Sequence, residues 1–161
     1  MSIDKLFSLE KTKIDKLISA SDELSSTESV SIVDNKIIWV DLYKLKSSPD
    51  DMVTFSLLFY NTGVITTSNV YLNKQVFGGL ENIHGSILDY PIDTNSNLMN
   101  KTFDIYLAAT ATELTTPLPA DFKVSLILKG GKGTIAYPIL DRVELNTIGQ
   151  TIEVNYSIFM Y

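Results

Sequence analysis

From residue 30 onward, apolar and polar side chains alternate in short runs, the period of a strand with one face buried. Val53, Phe55, Leu57 and Phe59 alternate with Thr54, Ser56 and Leu58. The same period recurs in Phe122, Val124, Leu126 and Leu128, and in Ile152, Val154, Tyr156 and Ile158. Residues 30–33, 37–45, 64–72, 103–109, 134–140 and 142–146 are further strand candidates, rich in β-branched and aromatic types.

The first residues follow a different period. At 100° per residue, Ile3, Leu6, Phe7, Ile14, Leu17 and Ile18 share an arc of about 120°, the width of a core-facing helical stripe. Ser2 suits the N-cap, Asp4 the first turn, and the Ser/Asp/Glu-rich residues 19–29 end the pattern. Glu10 interrupts the stripe. The chain therefore divides into an N-terminal helical arm, 1–26, and a β domain, 27–161.

Between the strand candidates lie Asp34-Asn35, Ser47-Ser48-Pro49-Asp50, Asn61-Thr62-Gly63 and Gly130-Gly131-Lys132-Gly133, all suited to tight reversals. Eight or nine short strands without intervening helices predict a mainly β fold, an antiparallel β-sandwich of jelly-roll or immunoglobulin-like type. Residues 73–100, with Gly78-Gly79, Gly85, Pro91 and a polar run at 93–97, read as a long loop that binds something or hides elements.

A length of 161 residues suits one domain with its own core. Thirteen basic against 19 acidic residues, a net charge of −6, argue against nucleic acid, which needs a concentrated basic face. Arg142 is the sole arginine, which further weakens phosphate recognition. The absence of cysteine excludes disulfides and thiolate metal sites. Charges scattered through the first 16 residues do not resemble an export leader, and no apolar run is long enough for a membrane helix. The expectation is synthesis in the cytoplasm, with no membrane partner.

Candidate chemistry is sparse. Gly130-Gly131-Lys132-Gly133-Thr134 lacks the Lys-Ser/Thr pair and the following helix of a phosphate loop, so a glycine hairpin is expected. Asp93, Asn95, Asn97 and Asp104 follow calcium-loop spacing in part, but Leu98 stands where that loop requires glycine. They remain weak metal candidates. His84 is the single histidine and Ser86 beside it is not triad geometry. Asp89, Asp93, Asp104, Glu144 and Glu153 could form a hydrolytic pair only through spatial approach. Asn100-Lys101-Thr102 and Asn155-Tyr156-Ser157 match the glycosylation pattern, without meaning where no leader precedes them. Trp39, Tyr43, Tyr60, Tyr71, Tyr106 and Tyr156 lie on strands, as core or as exposed platforms. No catalytic residue and no cofactor is assigned.

The two ends suggest assembly. A lone four-turn helix is marginal in water, and the last strand ends in Phe159, Met160 and Tyr161 with apolar groups on both faces, as an unprotected edge would. Ile3, Leu6, Phe7, Ile14, Leu17, Ile18, Phe159, Met160 and Tyr161 are the interface candidates. A small acidic cysteine-free β domain with a helical arm is similar to accessory structural proteins of phage particles and tail-like assemblies, a resemblance of outline. It implies a non-enzymatic homo-oligomer incorporated in a virion or particle. The alternative is a glycan- or receptor-binding module using Tyr and Asn side chains, and a small hydrolase comes third.

Overall fold

The computed structural model describes residues 29–33, 36–112, 120–137 and 143–161. The predicted arm, with Ile3, Leu6, Phe7, Ile14, Leu17 and Ile18, lies outside them. The described residues form strands β1 (Ser29–Val33), β2 (Lys36–Tyr43), β3 (Met52–Thr62), β4 (Val64–Leu72), β5 (Gln75–Val76) and β6 (Ile87–Thr94). A single helical turn follows, α1 (Asn95–Leu98), and then β7 (Thr102–Ala111), β8 (Ala120–Lys129), β9 (Ile135–Ala136), β10 (Val143–Leu145) and β11 (Thr151–Met160). The fold is mainly β, in two sheets. A six-stranded sheet runs β1-β2-β11-β7-β4-β5, and a five-stranded sheet runs β10-β8-β3-β6 with β9 also on β8.

The alternation seen in the sequence becomes the core. Phe55 and Leu57 stand opposite Leu128 and Leu126 across β3 and β8, all four buried. In the other sheet Leu107, Ile105 and Phe103 stand opposite Val154, Tyr156 and Ile158. The inward faces meet where the Phe55 and Phe103 rings pack edge to face at 5.0 Å and where Tyr137 approaches Tyr156 at 6.0 Å. Such aromatic pairs add to the apolar area each ring removes from water.

Three features differ from the sequence reading. Residues 73–100 are not one loop: Asn73 and Lys74, both at positive φ, make the two-residue turn between β4 and β5, and β6 and α1 follow. β6 escaped the period-two pattern because it pairs with β3 through two register shifts and carries Pro91, devices of an edge strand. The pairing is also not wholly antiparallel, since β2 and β11 run parallel from Lys36↔Glu153 to Tyr43↔Met160. No hairpin dictates their direction, because β3 to β10 all lie between them in the chain.

The last strand is not an edge. β11 is flanked by β2 and β7, and Met160 is fully buried within its own chain. Its pairing with β2 extends beyond the strand, Leu45 N–H donating to Tyr161 O at 2.8 Å and Tyr161 N–H to Tyr43 O at 3.1 Å. Apolar residues on both faces here serve a central strand with an apolar patch outside it.

Candidate functional site

The outer face of the six-stranded sheet gathers groups from β2, β11, β7 and β4 in rows set by register. One row reads Lys36, Glu153, Ala108, Thr67; the next reads Ile38, Asn155, Tyr106, Asn69; the third reads Val40, Ser157, Asp104, Tyr71. Successive strands are about 4.8 Å apart, so three neighbours in a row span roughly 10 Å. The first two rows, Ile38 excepted, line an open depression of about 220 Å³. Ala108 lies among larger side chains, and its missing bulk makes the hollow.

Each wall is held by a named contact. The Tyr106 ring is 46% exposed and packs edge to face against Tyr71 at 5.4 Å. Lys36 Nζ lies 3.3 Å from a Glu153 carboxylate oxygen, both side chains substantially exposed. Asn69 Oδ1 accepts the N–H of Asn82 at 2.8 Å. One row further, Ser157 Oγ donates to Asp104 Oδ1 at 2.6 Å and satisfies a carboxylate only 8% exposed.

The upper part of the same face is apolar. Val40 and Phe159 are 43% and 37% exposed, and Ile38 and Leu42 beside them are half-buried. Leu42 stands directly opposite Phe159. Of the interface candidates, Phe159 lies on this face, Tyr161 is exposed with Lys44 Nζ 5.9 Å from its ring centroid, and Met160 points into the core.

The weak metal candidates do not converge. Asn95 is buried and committed: its Oδ1 accepts Lys46 N–H at 2.8 Å, and its Nδ2 donates to Asp51 O at 2.7 Å and Gly130 O at 3.0 Å. Asp93 Oδ1 accepts from Thr94 N–H and from Asn97 Nδ2, both at 2.8 Å, while Asp104 is engaged with Ser157 on the opposite sheet. Calcium-loop spacing here builds a turn that pins the β2–β3 and β8–β9 connections together. Among the described residues no group of three His, Asp or Glu side chains is placed to hold a metal ion.

His84 has a structural task. Its Nδ1 lies 2.8 Å from the Thr66 carbonyl, which can only accept, so Nδ1 carries the proton. Nearby, Ser68 and Ile83 exchange two backbone hydrogen bonds and Val70 N–H donates to Leu80 O. Residues 77–84 thereby cover the free edge of β4.

Gly130 and Gly131 belong to the turn after β8. Tyr43 Oη donates to Gly133 O at 2.8 Å and accepts Gly131 N–H at 2.9 Å, and burial raises the Tyr43 pKa. A β-strand follows, as expected of a hairpin.

Two acids are perturbed, one on each sheet. Burial raises the Asp41 pKa, opposed by hydrogen bonds from Leu42 N–H and the Tyr137 hydroxyl. Lys129 lowers that of Asp89 through a 2.8 Å hydrogen bond and its charge. Ser56 Oγ accepts Asp89 N–H at 2.9 Å, so this cluster secures the irregular β6 to β3. Trp39, Tyr43 and Tyr156 are core; Tyr106, half-exposed Tyr71 and exposed Tyr60 reach the surface.

Tyr106 and Glu153 stand among the sequence candidates, in separate sets that no local pattern joins into the depression. The available signal was the pair Tyr106 and Ala108, a large and a minimal residue on one face of a strand; which strands flank it was not readable. No family model, curated protein or solved structure matches this chain.

Proposed function

We propose that the chain is a non-enzymatic structural protein that associates with copies of itself through the outer face of its six-stranded sheet, as a component of a larger symmetric assembly such as a virion. The observation that carries this reading is the patch formed by Ile38, Val40, Leu42 and Phe159, which presents apolar surface without a charged side chain. Interface centres are depleted in charge and enriched in aromatics, and self-complementary two-fold contacts are the commonest route to oligomers. β1 lies beside β2 with Ser29 opposite Val40, so the described residues begin next to this patch. The sandwich reading is part of the proposal: two sheets sharing one core form a rigid body, and the parallel β2–β11 pair favours neither a pure jelly roll nor a pure antiparallel sandwich.

Sedimentation of the full chain tests this. A symmetric oligomer is expected, shifting to monomer in Val40→Glu/Phe159→Glu while the circular dichroism spectrum is kept. A chain that is monomeric across the accessible concentration range overturns the reading. Removal of residues 1–26 separates the contributions: loss of assembly assigns the contact to the arm and patch together, retention to the patch alone.

A further inference from the structure

We infer that the depression around Ala108 is a binding site for a single neutral sugar ring, stacked on Tyr106 and held at its rim by Asn69, Asn155 and the Glu153–Lys36 pair. The depression shares this sheet face with the apolar patch, Asn155 standing opposite Ile38, but none of Ile38, Val40, Leu42 and Phe159 lines it. The two extend in opposite directions along β11, from Asn155 to Glu153 for the depression and to Phe159, six positions from Glu153 and about 20 Å along the strand, for the patch.

Four observations select this ligand class. The first is size. The depression, about 220 Å³ and open to solvent, has room for one six-membered ring, with any further unit left outside it.

The second is the platform. Tyr106 offers an apolar ring with a polar tip, and its edge contact with Tyr71 restrains it without occluding it. A pyranose presents C–H groups on its face and hydroxyls around its rim, the complement of an exposed aromatic ring within polar neighbours.

The third is the mixture of donors and acceptors. Asn69 spends its oxygen on Asn82 N–H and retains an NH₂ donor; Asn155, in the same row on the other side of Tyr106, carries both a donor and an acceptor. Glu153 accepts and Lys36 donates in the next row. Hydroxyls, each donor and acceptor at once, satisfy such a rim from both sides.

The fourth is charge. Lys36 is already neutralised by Glu153 at 3.3 Å, so the site offers no surplus cation to a phosphate, uronate or sialate. An extended peptide would need a free sheet edge, whereas β7 and β11, which carry Tyr106, Ala108, Glu153 and Asn155, are both interior strands.

The test is saturation-transfer NMR and titration of the full chain with methyl glycosides of glucose, galactose, mannose and N-acetylglucosamine, with glucuronate and N-acetylneuraminate as acidic comparators. Saturable binding of at least one neutral glycoside is expected, weakened by about tenfold or more in Tyr106→Ala and in Ala108→Leu, which fills the hollow from a half-exposed position. Tyr106→Phe keeps the stacking surface and should retain most of the affinity. Sedimentation of the same variants should match the unsubstituted chain, so failure here is distinguishable from failure of the assembly reading. No saturable binding by any neutral glycoside, preferential binding of the acidic sugars, or affinity unchanged in both Tyr106→Ala and Ala108→Leu overturns the inference.

Discussion

Asn95→Ala should remove the tie that joins the β2–β3 and β8–β9 connections at one end of the fold. The side chain is 1% exposed and makes three hydrogen bonds, to Lys46 N–H, Asp51 O and Gly130 O. Asp51 O keeps a partner after truncation, because Asn95 N–H also donates to it at 3.0 Å. Lys46 N–H and Gly130 O lose theirs. An unsatisfied buried group costs about 1–3 kcal/mol, and water entering from the exposed side of Lys46 recovers part of it. The expected loss is about 2–4 kcal/mol, or a fall in Tm of roughly 5–15 °C for a domain of this size. Asn97→Ala removes one exposed hydrogen bond to Asp93 and should change stability by less than about 0.5 kcal/mol. Urea denaturation of the two variants reads the difference. An Asn95→Ala protein within about 0.5 kcal/mol of Asn97→Ala would refute the assignment of Asn95 as a structural tie.

Other expectations follow from the same contacts. Burial raises the Asp41 pKa, so the folded chain keeps that proton to higher pH than the unfolded chain; stability from this group falls as pH rises from the ordinary aspartate range through the raised value. Asp41→Asn should flatten stability over that window, and parallel pH profiles of the two proteins would contradict it. Asp89 has the opposite sign: Lys129 holds its pKa low, so its contribution is complete above the ordinary aspartate range and is lost as pH falls through the depressed value. Lys129→Met should remove that acid-side loss, measured as the slope of stability against pH. Gly131→Ala would set a methyl 2.6 Å from the Tyr43 ring and 2.7 Å from Lys44 O, destabilising by about 1–3 kcal/mol, whereas Gly133→Ala meets nothing within 4 Å and should be nearly silent in thermal melts.

What the sequence disclosed depended on whether a residue's role was local. Alternation in Phe122 to Leu128 and Ile152 to Ile158 reports burial of one face, and those positions form the core. Apolar groups on both faces of β11 look alike whether a strand is central or terminal, and only register with Lys36–Tyr43 resolves its central place. β6 was hidden by Pro91 and its register shifts. Asn95 resembled a calcium ligand because short polar side chains at alternate positions serve turns and cations equally, and the partners that decide its role are 35 to 49 residues away. The depression was unreadable for the same reason, since it joins Lys36 on β2 to Asn69 on β4 across four strands whose order no local pattern encodes.

The central claim is that copies of the chain meet through the outer face of the six-stranded sheet. The chain contains no cysteine, so Val40→Cys and Leu88→Cys each place a single thiol, the former on the proposed contact and the latter at a 69% exposed position on β6 of the other sheet. Treated with a short bis-maleimide at low concentration, Val40→Cys should give covalent dimers and Leu88→Cys should remain monomeric on denaturing gels. Equal cross-linking of both, or of neither, would contradict the account.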